Sequence, residues 1–257
     1  MQFGPLVRTV DASWTLASRH KRFDVFVIDG LRHFIGVTLI AVGALLPIVD
    51  PLGGAPIYLA MITGLTPDER KRMAKLVAIN SFLLLAVSIL AGAYVLDFFG
   101  VSIPAVQVGG GFVVCAIGWS LLTSPGTPAV SDRPAAAGTE DPLTQRAFYP
   151  ITMPLTVGPG SISVAITLGA NPPRQLRSLL TTALGHVLGV LITAVSIYLC
   201  YRYAERILRK LGTTGTNVLI RLTAFILLCI GVQIMWNGAH TLLQSVIAVP
   251  APPAPAG

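Results

Sequence analysis

Two short stretches rich in proline and glycine contain the residues best suited to bind a ligand. Asp50 precedes Pro51 in the first stretch, which continues to Pro56, and Gly158 precedes Pro159 in the second. Asp and Gly are common helix N-caps and proline favours the first helical position, so each stretch predicts the start of a new helix. A helix start presents unpaired backbone N–H groups and the positive end of the helix dipole, both of which attract anions.

Only the first predicted helix start has its own carboxylate. Asp50 neutralises that start, whereas the second, over residues 158–162, has no acidic residue and can bind an outside anion. A ligand with a carboxylate and an ammonium group would fit between them, with its ammonium near Asp50. Because small residues surround both starts and leave little space, the sequence predicts a small ligand. The predicted substrate-binding residues are Asp50, Pro51, Gly53, Gly54, Gly158, Pro159, Gly160, Ser161, Gly110 and Gly111.

Long apolar segments must position these stretches. Of the 257 residues, 53% are hydrophobic and only 11% are charged, whereas soluble domains contain about 25% charged residues. Six apolar segments are long enough to cross a bilayer. They cover residues 34–65, 76–96, 103–122, 147–170, 178–201 and 217–236, and the last could extend to residue 249. The composition therefore predicts an all-α integral membrane protein in contact with the lipid bilayer, and it excludes most soluble folds.

The six segments are predicted to form two inverted three-helix repeats. Pro47 and Gly53 match Pro154 and Gly160 at a common offset of 107 residues, so segments one and four share a Pro/Gly break. Segments three and six share a Phe-x4-Ile-Gly pattern at an offset of 113 residues, beginning at residues 112 and 225. An odd number of spans in each half places the second half upside down in the membrane. Paired breaks in inverted halves are typical of secondary transporters, whose substrate site lies near the midplane.

The connections between segments define the predicted organisation and orientation. A polar N-terminal extension covers residues 1–33, and a membrane domain covers 34–249 with repeats at 34–122 and 147–249 around a loop at 123–146. The tail, 250–257, is rich in Pro and Ala and is predicted to be disordered. Lys and Arg residues concentrate after segment one, in the central loop and before segment six. This predicts a cytoplasmic location for those loops and a non-cytoplasmic location for both termini.

The same residues also admit purely structural interpretations. Proline and glycine in membrane helices are often kinks whose free backbone groups are satisfied by neighbouring helices, and Asp50 could act only as a cap. The glycine run at 109–111 either allows close helix packing or leaves backbone accessible from a cavity. Five polar residues within the segments are better explained as interhelical hydrogen-bond partners than as ligands, namely Asn80, Gln107, His186, Gln233 and Asn237.

Several function classes lack support in the sequence. The positive charges, which give a net charge of +7, flank apolar segments instead of forming a basic stripe with aromatics, so no nucleic-acid partner is predicted. The three cysteines are not spaced as a metal site. No arrangement typical of a catalytic site occurs within the segments, so we expect neither an enzyme nor a cofactor. No G-x-x-x-x-G-K-[ST] motif is present, so ATP is not expected to drive transport directly.

Four motifs in order along the chain resemble the MarC family of six-span inner-membrane proteins. They span residues 50–56, residues 99–104 leading to Gly110 and Gly111, residues 153–160, and residues 221–238. The resemblance extends from about residue 34 to residue 243 and implies a bacterial inner-membrane location. The family includes transporters of small neutral amino acids such as glycine and alanine. Two positions depart from its pattern: Gly54, where many relatives have Asn, and Gln107, where Arg is common.

The leading hypothesis is a secondary transporter that imports or exports small neutral amino acids of the glycine and alanine type. Asp50 is the only acidic residue well inside an apolar segment, so protons are a candidate driver. One alternative is an exporter of drugs or other small solutes, which would favour a wide cavity lined by aromatics. The other is a membrane scaffold or regulatory protein that transports nothing, in which the breaks only shape the helix bundle.

Overall fold

A computed structural model describes residues 29–123, 142–170, 173 and 175–247. In this part of the chain every regular element is helical. The elements are α1 (29–49), α2 (Pro51–Met61), α3 (Pro67–Phe98), α4 (Ile103–Thr123), α5 (Pro142–Arg146), a π-helical segment (Ala147–Thr156, the π segment), α6 (Pro159–Gly169), α7 (Leu176–Arg202) and α8 (Ala204–Ile247). Most of the predicted N-terminal extension, the central part of the predicted loop and the predicted disordered tail lie outside the described residues.

The described helices confirm the predicted all-α membrane fold. Five helical stretches are long and apolar enough to cross a membrane: Asp29–Met61, Pro67–Phe98, Ile103–Thr123, Ser178–Arg202 and Ala204–Ile247. A sixth span is supplied by the bent pair Pro142–Thr156 and Pro159–Gly169 when it is counted as one. The order and number of spans therefore agree with the six predicted segments.

Both predicted breaks are present, but the second interrupts the helical path more strongly than the first. In the first, Asp50 alone adopts a left-handed conformation, with φ 41° and ψ 65°. Helical hydrogen bonding continues past it, because the Asp50 N–H donates to the Leu46 carbonyl and the Gly54 N–H donates to the Asp50 carbonyl. At the second break the chain bends by 73° between the π segment and α6. Within the π segment, Tyr149 and Met153, each followed by proline, have an extended backbone.

One end of the bundle, the cationic end, collects most of the described positive charges. Arg146 donates a hydrogen bond to the Met61 carbonyl at 2.8 Å, and Arg70 pairs with Glu205 at 3.3 Å. These contacts bring together the end of α2 and the starts of α3, the π segment and α8. The Lys and Arg residues at this end are Arg70, Lys71, Arg72, Lys75, Arg146, Arg202, Arg206, Arg209 and Lys210. By the positive-inside rule, this end would face the cytoplasm.

The first described helix starts, and the last one finishes, at the opposite end of the bundle. His33, near the start of α1, lies 3.0 Å from the Thr182 hydroxyl near the start of α7. Gly238, near the end of α8, packs against the Pro104 carbonyl at the start of α4. The start of α1 and the end of α8 therefore lie at the same end of the bundle, and the non-cytoplasmic location of both termini stays a prediction.

Glycines bring α4 and α8 into close contact. A Cβ atom at Gly111 would lie 2.6 Å from the Met235 backbone nitrogen, and one at Gly118 would lie 2.9 Å from the Ala224 carbonyl oxygen. Along α4 the contacting residue numbers rise while those on α8 fall, so the two helices are antiparallel. Such backbone proximity requires small residues. The antiparallel pairing is what two inverted halves of three spans each would produce, although the inversion itself stays a prediction.

Several helix boundaries extend beyond the predicted apolar segments. Residues 29–33, assigned to the polar extension, already belong to α1, and residues 142–146 of the predicted loop form α5. Helix α3 begins at Pro67 because Thr66 and Glu69 form a capping box that starts it among charged residues. Helix α8 begins at Ala204 and is interrupted at Gly212, where φ is 66°. Hydropathy marks the part of a helix within lipid, whereas these helices continue into the polar interface.

Candidate functional site

A cavity of about 540 Å³ lies between the two breaks, lined by parts of α1, α2, α4, the π segment, α6 and α8. The predicted site residues on its wall are Asp50, Gly53, Gly54, Gly158, Gly160 and Ser161. Two stretches separated by more than 100 residues of sequence therefore meet at one cavity. The cavity size lies within the range of roughly 300–1,000 Å³ typical of small-molecule sites.

The other four predicted residues lie outside the cavity lining. Pro51 and Pro159 occupy the first turns of α2 and α6, where they start the two half-helices. Gly110 packs against the Ser163 side chain of α6, and Gly111 packs against the backbone of α8. The structure therefore places this glycine pair in close helix packing, which is the structural interpretation that the sequence also allowed.

The first break presents a carboxylate to the cavity. Asp50 is the N-cap of α2, as predicted, and its Oδ1 accepts a hydrogen bond from the Gly53 N–H at 3.1 Å. Its other oxygen, Oδ2, is buried and makes no hydrogen bond of standard geometry, although the Thr223 side chain of α8 lies beside the carboxylate. A side chain at Gly53 would collide with the Asp50 carboxylate and with Thr223 of α8. A buried oxygen without a good hydrogen bond is costly, so a local movement that exposed Oδ2 to a donor on a ligand would be favoured.

The second break presents an uncapped helix start. Gly158 is the N-cap of α6 in an extended conformation, Pro159 follows it, and no side chain caps the helix. The Ser161 hydroxyl donates to the Gly158 carbonyl at 2.9 Å, and the Ile162 N–H donates to the same carbonyl at 3.1 Å. No acidic residue occurs in the first turn. The backbone N–H groups of Gly160 and Ser161 are therefore not occupied by a capping side chain and can attract an anion.

The two helix starts pack against equivalent positions of the opposite half. Gly160 of α6 faces Val114 and the Gly110 carbonyl of α4, whereas Gly53 of α2 faces Thr223 of α8. Positions 53 and 160 are related by the offset of 107 residues, and positions 110 and 223 by the offset of 113. Each half-helix therefore packs against the third span of the other half. The predicted repeat would produce such a reciprocal pairing, and the repeat itself stays a prediction.

The cavity extends from the breaks toward the cationic end. Its lining on α4 comes from residues between Phe112 and Leu121, in the half of the helix that leads to that end, and it includes Met61 and Pro150. Toward the opposite end, α4 and α6 are joined by two hydrogen bonds. The Ser163 hydroxyl donates to the Val106 carbonyl at 3.0 Å, and the Gln107 amide donates to the Thr167 hydroxyl at 3.2 Å.

Gln107 is thus an interhelical hydrogen-bond partner, as the sequence predicted. In contrast, Gln233 donates within α8, to the Asn237 side chain at 2.9 Å. These two residues form a pair on an exposed part of one helix instead of the predicted link between helices.

The sequence did not indicate a pair of tyrosines beside the cavity. The rings of Tyr58 and Tyr201 stack with centroids 4.2 Å apart. The Tyr201 and Thr156 hydroxyls lie 2.9 Å apart, and the Tyr58 hydroxyl donates to the Arg70 carbonyl at 3.3 Å. These contacts connect α2, α3, α7 and the π segment. Thr156 and Thr223 also line the cavity. The only features of the sequence that could have indicated them are that Thr156 lies within the motif at residues 153–160 and that Thr223 follows Gly110 at the repeat offset of 113 residues.

No group of three His, Cys, Asp or Glu residues in the described part of the chain could hold a metal ion.

The fold and the cavity together define a polytopic integral membrane protein with a chamber between two interrupted spans. The family described as MarC family integral membrane protein matches residues 34–243. The chain belongs to this family.

Curated relatives agree with this assignment. The chain is 31% identical over 217 residues to the UPF0056 inner membrane protein MarC of Escherichia coli strain K12, of Escherichia coli O1:K1 / APEC and of Shigella flexneri. Each alignment covers 82% of this chain and 96% of the relative. No solved structure matches the chain at a significant level. The family membership, the inner-membrane relatives and the membrane-spanning helices together identify the chain as a multi-pass inner-membrane protein.

Proposed function

We propose that this protein is a secondary transporter of small neutral amino acids. The observation that supports this most directly is the chemistry of the cavity wall. It combines the Asp50 carboxylate with the uncapped start of α6. An amino acid carries one group for each, an ammonium for the carboxylate and a carboxylate for the helix start.

The low-polarity surroundings make this complementarity valuable. Hydrogen bonds involving charged groups contribute about 1.5–3 kcal/mol, and they are stronger where water is excluded. Gly53, Gly54, Gly158 and Gly160 all line the cavity, so backbone atoms form part of its wall at both breaks. A ligand with only one of the two charges would leave the other wall group without its counterpart.

Transport would occur by rocking of the two halves about the chamber. The chamber extends to the cationic end and is bounded on the other side by the hydrogen bonds between α4 and α6. Reciprocal packing of α6 on α4 and of α2 on α8 would give an equivalent closure at each end. The proposal involves no chemical step, no cofactor and no nucleic acid. Its partners are the amino acid, the lipid bilayer and, as candidate driver, protons that titrate Asp50.

Export of larger apolar solutes is the second candidate. The cavity volume of about 540 Å³ and a mainly aliphatic wall favour it. Against it, Phe112 is the only Phe, Tyr or Trp residue among the lining residues that the structure describes. Stacking on several aromatic rings, which would suit a drug-like solute, is therefore not supported by this wall.

Counterflow in proteoliposomes tests the proposal. The full-length protein is reconstituted, vesicles are loaded with unlabelled alanine, and the entry of labelled alanine or glycine is followed. We expect accumulation above that of protein-free vesicles and above that of protein vesicles without internal alanine. The same vesicles are tested with a labelled apolar drug and with glutamate as a charged control.

Each outcome separates the hypotheses. Counterflow of alanine or glycine, with none of glutamate, supports the proposal. Movement of the drug without movement of any amino acid would replace the proposal with the exporter. If the reconstituted, correctly folded protein moves neither, the breaks only shape the bundle and the scaffold hypothesis is favoured.

A further inference from the structure

The cavity is larger than glycine or alanine requires. Its volume is about 540 Å³, whereas an enclosed cavity of about 150 Å³ already accommodates a benzene molecule. Alanine has about as many non-hydrogen atoms as benzene, so it would leave most of the chamber unfilled. The size therefore indicates that the chamber can accept more than the smallest amino acids.

The chemistry of the wall changes along the cavity. Near the breaks its lining includes Asp50, the start of α6 and Thr156. Toward the cationic end the wall is largely aliphatic, with side chains from α2, α4 and the π segment, namely Ile57, Met61, Ile117, Leu121 and Leu155. A ligand that fits both regions has a charged head at the breaks and an apolar side chain directed toward the cationic end.

We infer that the chamber binds neutral amino acids with aliphatic side chains, of the valine, leucine and methionine type, more tightly than it binds alanine. This inference rests on the proposed function, because it assumes the same head-group site. Each additional methylene group removed from water contributes a factor of about four in affinity. Leucine should therefore bind at least about tenfold more tightly than alanine.

The same wall excludes amino acids with charged side chains. A charge placed among Ile57, Ile117 and Leu121 would lose its hydration without gaining a partner. The glutamate side chain is about as long as that of methionine, so exclusion of glutamate together with binding of methionine cannot result from length alone. Failure of lysine and glutamate to bind, together with leucine binding, is the expected signature of an aliphatic side-chain region.

Competition binding with the full-length protein tests this inference. Labelled alanine is bound to the purified protein and displaced by unlabelled alanine, valine, leucine, lysine or glutamate. Leucine should displace the label at a concentration at least about tenfold lower than alanine does, and the charged amino acids should fail. An accompanying variant, Ala116→Phe, places an aromatic ring in the cavity wall. Its matched control is Ala105→Phe, on the same helix, exposed and outside the lining.

Ala116→Phe should retain alanine binding and reduce the affinity for leucine at least about tenfold, whereas Ala105→Phe should behave as wild type. If alanine binds and leucine does not compete, the inference is overturned while the proposed function stands. If no amino acid binds, the proposed function itself fails. Leucine binding that is equal in both variants would place the side chain elsewhere and would overturn the inference. Should Ala116→Phe fail to fold, the wild-type competition alone decides.

Discussion

Replacing Gly160 with valine tests whether the start of α6 binds the substrate carboxylate. Gly160 lines the cavity in the first turn of α6, so a side chain there would hinder close approach to the backbone N–H groups. The same Cβ atom would collide with Val114 and lie 3.4 Å from the Gly110 carbonyl oxygen. Loss of binding in Gly160→Val could therefore come from a blocked anion site or from disturbed packing between α6 and α4.

The two effects have different measurable consequences. A charge-assisted hydrogen bond contributes about 1.5–3 kcal/mol, and 1.4 kcal/mol corresponds to a factor of ten in affinity. Loss of one bond should therefore weaken alanine binding by at least about tenfold. Overpacking typically costs about 1–3 kcal/mol of folding stability, and this cost lowers the melting temperature. Binding affinity and melting temperature must be measured on the same purified variants.

Two control variants separate the effects. Gly92→Val creates a comparable collision with Ile166 of α6 at a position outside the cavity lining. It should lower the melting temperature and leave the affinity for alanine unchanged. The double variant Gly160→Val with Val114→Ala removes the colliding methyl groups. It should regain part of the lost stability and still bind alanine at least about tenfold more weakly than wild type.

Ligand analogues supply an independent measurement. Amino-acid esters and decarboxylated amines lack the anion, so they should compete poorly for the wild-type site. The reasoning is refuted if Gly160→Val binds alanine normally, or if an amine without a carboxylate competes as well as alanine. Full recovery of affinity in the double variant would also refute it, because packing alone would then explain the loss.

Three further predictions follow from the described contacts and the sequence. Asp50→Asn keeps a side-chain oxygen that can cap α2 but removes the titratable group, so transport assayed across a pH series should lose its pH dependence; an unchanged profile would exclude Asp50 as the coupling group. Deleting residues 1–22 should preserve membrane insertion and counterflow, since this stretch is polar and precedes the region of family similarity, and loss of insertion in a fractionation assay would contradict this. Gly111→Ala should lower the melting temperature and cost about 1–3 kcal/mol of folding stability, because its Cβ meets the Met235 backbone. Gly109→Ala, whose Cβ would lie in open space, should not lower the melting temperature, and equal stabilities of the two variants would contradict the packing.

Local rules account for what could be predicted at the two breaks. Asp50 before Pro51, and Gly158 before Pro159, are cap and first-turn combinations whose preferences depend on a few neighbouring atoms. Both were confirmed as helix starts. The apolar segments were likewise recognisable, because backbone exposed to lipid must satisfy its hydrogen bonds within a helix or a closed barrel, and the length of an apolar run then reveals a span. Helix ends were less well predicted, since α3 starts among charged residues through the capping box at Thr66.

The sequence by itself determined the all-helical membrane fold, the two helix starts and the six residues of the two breaks that line the cavity: Asp50, Gly53, Gly54, Gly158, Gly160 and Ser161. Only the tertiary structure decided that Gly110 and Gly111 pack against α6 and α8, and that Thr223 stands beside Asp50. It also decided the stacking of Tyr58 on Tyr201 and the volume of the chamber. The physical reason is that capping and hydropathy act within a few residues or one segment. Contacts between helices depend instead on how whole spans tilt, cross and interlock, and these relations are set by side chains far apart in the chain.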